Sequence, residues 1–248
     1  MNNHYIQFSK NIFTQSGEDG IIEHLFKDLN IYDGVVVEFG AWDGVYLSNV
    51  YNLWKNKNFN AVLIESNVSK YADLQKFSNK FDRVECVNTY VSPNADDQNS
   101  IDNILSRSSF DINNDTFALM SIDIDSCDYY VFESINKFFP KVIIIETNGS
   151  DLNKESKTYD NGCSLLSVNL LAKTKNYTLV CHTGNAIFVR NDLMHLIPPG
   201  DYSIENLYQS DDNVMSLQSI GNDGLHTNQI YYLTEQYNIT VSNEKNSI

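Results

Sequence analysis

Gly34-Val35-Val36-Val37-Glu38-Phe39-Gly40-Ala41-Trp42-Asp43-Gly44, answered further on by Asn60-Ala61-Val62-Leu63-Ile64-Glu65, is the stretch that decides the fold. The first run is short, apolar and β-branched and ends at two glycines, which predicts a strand buried on both faces and a tight turn beyond it. The second is a strand of the same kind that stops at an acid. Residues 48–54 between them carry helical spacing, so the two runs close a β-α-β unit.

The alternation extends in both directions. Upstream, Ser16 and Asp19 stand at capping-box spacing before Ile21, Ile22, Leu25, Phe26 and Leu29, which predicts an opening helix. Downstream come a helix over 68–77, a strand over 84–91, a polar segment over 92–114 with a short helix at 101–105, and a strand over 117–122. A helix over 130–138, a strand over 141–145, a helix over 164–175 and strands over 177–181 and 186–190 complete the series. The last two strands are close enough to pair as a hairpin. Strands alternating with helices predict an α/β, doubly wound, mostly parallel sheet. Beyond Asn191 the periodicity weakens and Pro198-Pro199-Gly200 breaks the chain. We therefore expect a domain over 1–190 and a peripheral segment over 191–248 packed on it.

The chain has 248 residues, of which 42% are hydrophobic and 20% charged, ordinary values for a globular domain. No apolar run is long enough for a membrane helix, and no secretory signal opens the chain, so a cytoplasmic location without a membrane span is expected. Seventeen basic against thirty-two acidic residues give a net charge of −15, which repels phosphate backbones and disfavours nucleic-acid partners. Cys86, Cys127, Cys163 and Cys181 are scattered without a C-x-x-C pair and read as reduced thiols.

In an open α/β sheet, ligands bind beyond the carboxyl ends of the strands, where the strand order reverses. The turn 40–44 stands at that place. It is neither a G-x-G-x-x-G fingerprint nor a lysine-bearing phosphate loop. Glu65 lies about twenty residues beyond the turn, where an acid accepts hydrogen bonds from ribose hydroxyls, which favours an adenosine ligand. Glu38 and Glu65 are otherwise solvated strand-end carboxylates.

Val37-Glu38-Phe39-Gly40-Ala41-Trp42-Asp43-Gly44 resembles motif I of S-adenosylmethionine-dependent methyltransferases. Residues 15–22 (Gln15-Ser16-Gly17-Glu18-Asp19-Gly20-Ile21-Ile22), Ser121-Ile122-Asp123-Ile124-Asp125, Gly162-Cys163-Ser164-Leu165-Leu166 and Gly184-Asn185-Ala186-Ile187-Phe188-Val189-Arg190 are similar to motifs of the FkbM-type branch found with surface-polysaccharide genes. The resemblance covers residues 13–192. It implies a Rossmann-like methyltransferase fold with a seven-stranded sheet, S-adenosylmethionine as cofactor, and O-methylation of a surface-polysaccharide or nucleotide-activated sugar such as a heptose. It further implies that Glu38, Gly40, Ala41, Asp43 and Gly44 shape the methionine and ribose end, and that Glu65 binds the ribose. Ser66 and the 88–90 segment with Asn88 flank the adenine, while Gln15 and Asp123 lie near the methyl donor. Methylation of a phosphorylated metabolite, and cofactor binding without transfer, are the alternatives, and a homo-oligomer is compatible with either.

A sugar hydroxyl needs a base or a metal to shed its proton. Asp123 and Asp125 share a side at the end of one strand and Glu146 and Asn148 repeat the spacing at the end of the next, an oxygen-donor set suited to Mg2+ or Mn2+. The same residues also fit a cofactor-ordering Asp123, a solvated Asp125 and a helix-capping Asp128. His182, before Thr183-Gly184-Asn185, is either a general base or a surface histidine. Trp42, Tyr46, Tyr129 and Tyr159 could wall a sugar site or simply pack.

Overall fold

A computed structural model describes residues 4–148, 152–157 and 162–219. The elements are α1 (Glu18–Asp28), β1 (Val35–Phe39), α2 (Tyr51–Asn56), β2 (Asn60–Glu65), α3 (Val68–Ser78), β3 (Val84–Asn88), α4 (Ile101–Leu105), β4 (Phe117–Ile122), α5 (Asp128–Ser134), β5 (Val142–Glu146), α6 (Leu165–Thr174), β6 (Tyr177–His182), β7 (Asn185–Arg190), α7 (Ile204–Leu207) and α8 (Asp211–Ser219).

The strands form one seven-stranded sheet in the order β3-β2-β1-β4-β5-β7-β6. β1 pairs in parallel with both β2 and β4, and β4 with β5. β7 runs antiparallel to β5 and to β6, which gives the expected C-terminal hairpin and makes the sheet mixed. The fold is Rossmann-like α/β. The chain steps outward from β1 to β3 and then returns to β4, so the order reverses between β1 and β4.

Alternate strand residues feed two cores, one on each face of the sheet. Val35, Val37, Phe39, Ile122 and Ile145 pack against α4 to α7, while Val36, Ala61, Leu63, Ala118 and Ile144 pack against α1 to α3. Helices on both faces explain why β1, β4 and β5 are apolar at nearly every position.

Four local readings need correction. The capping box does not form: α1 starts after Gly17, and the Asp19 carboxylate accepts the backbone N–H groups of Ile12, Phe13 and Thr14. α2 starts at Tyr51, because Ser48 and Asn49 turn back onto Glu38. β3 ends at Asn88, opposite Glu65, where β2 runs out of residues to pair. α5 stops at Ser134, since the N–H groups of Asn136, Lys137 and Phe138 go to the Asp102 carboxylate. All four cysteines are free thiols, with Cys163 and Cys181 buried. Among the described residues no helix is long and apolar enough to cross a membrane.

Candidate active site

Two cavities open along the carboxyl edge of the sheet. The first, about 280 Å³, lies at the β1–β4 switch point between Gly40, Ile64, Ser66, Tyr90, Ile124 and Cys127. Gly40 has φ +78°, and a Cβ there would run into the backbone carbonyl of Asp123. No other residue lets the β1 exit lie so close to β4.

The carboxylates on this side are held by backbone N–H groups. Glu65, 6% exposed, accepts from Trp42 N (2.8 Å) through Oε2 and from Asn67 N (2.6 Å) through Oε1. Each oxygen keeps a second lone pair. Asn88 Nδ2 donates to the Glu65 carbonyl (2.8 Å), which ties the ends of β2 and β3 beside exposed Ser66. Glu38 accepts from Ser48 Oγ (2.6 Å) and Asn49 N (2.9 Å), and burial pushes its carboxyl up to about 7. Asp43 accepts from Val45 N and Tyr46 N, and burial raises it as well. Ala41 is buried, its N–H donated to the Ile64 carbonyl (3.1 Å). Glu38, Asp43 and Ala41 therefore shape the loop from beneath, whereas Ser66 lines the cavity itself and Glu65 and Asn88 lie next to its lining residues Ile64, Ser66 and Thr89.

The second cavity, about 260 Å³, lies beyond the ends of β5 and β6. Glu146 and Asp211 are its charged lining, Ser16, Thr147, His182 and the amides of Gln15, Asn148, Asn185 and Gln209 its other polar lining, and Val214 and Met215 of α8 supply its apolar part. Asp123 and Asp125, which flank Ile124 in the wall of the first cavity, meet Glu146, which lines the second, each of the three with a carboxylate oxygen within 4.8 Å of the others. Burial, then repulsion from Asp125, Asp128 and Glu18, raises Asp123 to about 7. Burial, then the charges of Asp123, Asp125 and Asp128, raises Glu146 to about 8. Glu146 Oε2 is buried without a hydrogen-bond partner. Asp128 accepts from Ile124 N and Ser126 N, which fixes the turn that holds Asp125 at φ +56°.

His182 is 4% exposed. Its Nδ1 accepts from Gln209 N (3.0 Å), its Nε2 lies 3.1 Å from Thr147 Oγ1, and its ring stacks on Tyr208. Thr147 Oγ1 itself donates to the Gly184 carbonyl, so Nε2 carries the proton toward Thr147. Burial pushes the imidazole down to about 4. The ring is a neutral part of the cavity wall with both nitrogens engaged, not the free imidazole at a loop mouth that the sequence suggested. The aromatic residues do not converge: Tyr129 is buried in the core, Trp42 lies beneath the Lys70 ammonium at 4.2 Å, and Tyr159 lies outside the described residues.

Two contributors escaped the sequence. Glu18, fully buried, accepts from Ser16 N, Thr183 Oγ1 and Asn185 Nδ2, and so pins the β6–β7 turn against the N-terminal loop. An acid at the start of a helix reads as a dipole partner and gives no sign of this role. α8 closes the second cavity: Asn11 Nδ2 donates to the Leu217 carbonyl, and Val214 packs where Gly184 (φ +101°) lacks a side chain. Its lack of strong apolar periodicity hid it.

No protein-family model matches the sequence, and no curated protein does. Among solved structures, the chain is similar to TrmK of M. capricolum in complex with S-adenosyl-homocysteine, at 12% identity over 89% of this chain and 88% of that one, with a TM-score of 0.44. It is also similar to geranyl diphosphate C-methyltransferase from Streptomyces coelicolor A3(2), at 10% identity over 89% and 76%, with a TM-score of 0.46. A SAM-dependent methyltransferase from Aquifex aeolicus aligns at 14% identity over 68% and 87%, with a TM-score of 0.40. Likenesses of this size say nothing of the substrate.

Proposed function

We propose that this protein is an S-adenosylmethionine-dependent O-methyltransferase acting on a sugar hydroxyl. The observation that carries the reading is the crevice at the strand-order switch, where a glycine turn without a side chain meets Glu65, an acid with lone pairs to spare. The residues fit adenosine: Glu65 for the ribose hydroxyls, Ser66, Asn88 and Tyr90 beside the base, and the Gly40–Ala41 backbone along the chain of the ligand. Gln15 and Asp123 lie toward the methyl donor. When bound, S-adenosylmethionine supplies a methyl group on a sulfonium, an electrophile that needs no metal.

The protein's own task is then to hold the acceptor and take its proton. Asp123 and Glu146 are the groups for this, because their titration as an interacting pair near neutral pH keeps one carboxylate ionised beside one that is protonated. His182 holds Thr147 and Gln209 and so sets the acceptor wall. A divalent cation is the second reading, favoured by the closeness of the three carboxylates. Asp123, Asp125 and Glu146 would hold Mg2+ or Mn2+, which would lower the pKa of a bound hydroxyl. Residues 1–190 would form the catalytic domain, with 191–248 packed on it and supplying α8.

Incubation with labelled S-adenosylmethionine and a panel of sugars, nucleotide sugars and phosphorylated metabolites, with and without chelator, tests this. Transfer to a sugar supports the reading. Transfer confined to a phosphorylated metabolite moves the acceptor class, and binding without transfer to any acceptor leaves a cofactor-binding protein.

A further inference from the structure

A buried carboxylate sets the polarity of one wall of the second cavity. Glu18, fully buried, takes Ser16 N at 2.8 Å on Oε2, and both Thr183 Oγ1 at 2.6 Å and Asn185 Nδ2 at 2.9 Å on Oε1. An ionised carboxylate only accepts, so the Asn185 amide has one permitted orientation, with its nitrogen turned inward to Glu18. The amide oxygen is left on the cavity side: Asn185 is half-buried, lines the cavity, and its Oδ1 takes no hydrogen bond from the described residues. Gln209 in the same wall differs, since its Nε2 donates to the Leu207 carbonyl and its Oε1 accepts from Asn213 Nδ2. β7 sets Asn185 directly opposite Glu146 of β5, so the two side chains stand on the same side of the sheet, about 5 Å apart at Cβ.

Resting on the methyltransferase reading above, we propose that Asn185 is a specificity-determining residue whose Oδ1 accepts a hydrogen bond from a second hydroxyl of the acceptor, beside the one that faces Asp123 and Glu146. Glu18 is the positioning residue that keeps this oxygen outward. The wall therefore selects an acceptor with neighbouring free hydroxyls. An ether or ester oxygen in the same place would set two acceptor atoms against each other and leave both unpaired.

The experiment uses the full chain, labelled S-adenosylmethionine, and six acceptor probes: D-glucose, D-mannose, L-rhamnose, UDP-glucose, GDP-mannose and dTDP-L-rhamnose. The native protein is assayed first. Transfer to none of the six removes the sugar-methyltransferase reading, and this assignment with it, before any variant is made. With the probe that is methylated, Asn185→Ala should raise KM at least about tenfold while kcat stays within about threefold, the pattern expected when a ground-state hydrogen bond is lost. Calorimetry should show S-adenosylmethionine affinity unchanged. Glu18→Gln puts an N–H group against either Ser16 N or Asn185 Nδ2, so the Asn185 amide loses its fixed orientation. KM should rise in that variant too, and the Asn185 side-chain amide resonances should move in 15N–1H spectra recorded without acceptor. If Glu18→Gln does not fold, Asn185→Ala decides alone. An unchanged KM in Asn185→Ala, a loss confined to kcat, or unmoved Asn185 amide resonances in folded Glu18→Gln would each overturn the inference.

Discussion

The two halves of the carboxyl edge use the same side chains in opposite ways. Around the β1–β2 exits, Glu38, Asp43 and Glu65 each accept backbone N–H groups, so most of their charge is met by the protein's own dipoles, with Asp43 Oδ2 alone buried without a partner. Around the β4–β5 exits, Asp123, Asp125 and Glu146 face one another, and Glu146 Oε2 has no partner. The first arrangement is nearly finished, its carboxylates tied into the turns that follow the strands. The second is incomplete: like charges held close without a compensating cation cost stability and raise each other's pKa. Strain of this kind points to chemistry, because proton transfer near neutral pH needs a group that titrates there.

The largest effect should come from the unfinished half. Asp123→Asn and Glu146→Gln should each lower kcat by at least about a hundredfold while S-adenosylmethionine affinity stays within a few-fold, as expected when a general base is lost. Calorimetry alongside single-turnover rates checks this, and an equal loss of binding and turnover would erase the distinction between the halves. In the native enzyme kcat should rise with pH between about 6 and 9, as the pair releases its shared proton.

The finished half breaks through its backbone. Gly40→Ala forces a Cβ into the Asp123 carbonyl at φ +78°, whereas Gly200→Ala meets only ordinary contacts with Tyr202. We expect Gly40→Ala to cost about 2 kcal/mol or more and to abolish cofactor binding, with Gly200→Ala nearly silent. Urea midpoints and calorimetry on both variants separate the two outcomes.

A smaller effect is a slope in stability with pH. Glu38, Asp123 and Glu146 have folded pKa values raised to about 7, 7 and 8, so between about pH 4.5 and 8 the native state holds protons the unfolded chain has released. Stability from these groups therefore falls as pH rises through that window. His182, lowered to about 4, acts the other way, adding stability as pH rises from about 4 to 6.5. Above about pH 6.5 only the fall remains. Denaturant midpoints should show it, and Glu146→Gln should flatten it.

The sheet was legible because β1, β2, β4 and β5 are apolar runs cut off by glycine, acid or proline, a pattern that local chemistry alone produces. The finished half was legible too, since a turn glycine followed by a strand-end acid is a local signal. Where side chains reached back across the sequence, local reading failed. Asp102 ends α5 from more than thirty residues upstream, and Asp19 serves N–H groups behind it rather than the helix ahead. His182 shows the same limit, since its burial depends on Gln209 and Tyr208, which belong to a segment with little periodicity of its own. Convergence of Asp123, Asp125 and Glu146 was foreseeable because β4 and β5 are parallel neighbours. The enclosure of that cluster by α8 was not.

If Glu65 and the Gly40 turn form the cofactor site, titrating S-adenosylmethionine into the native protein and into Glu65→Ala in a calorimeter will separate the two proteins. We expect one site per chain and a dissociation constant raised at least about tenfold in the variant, the loss that follows when a charged acceptor of two hydroxyl groups is removed. Equal affinity in the two proteins, with both equally stable, would contradict it.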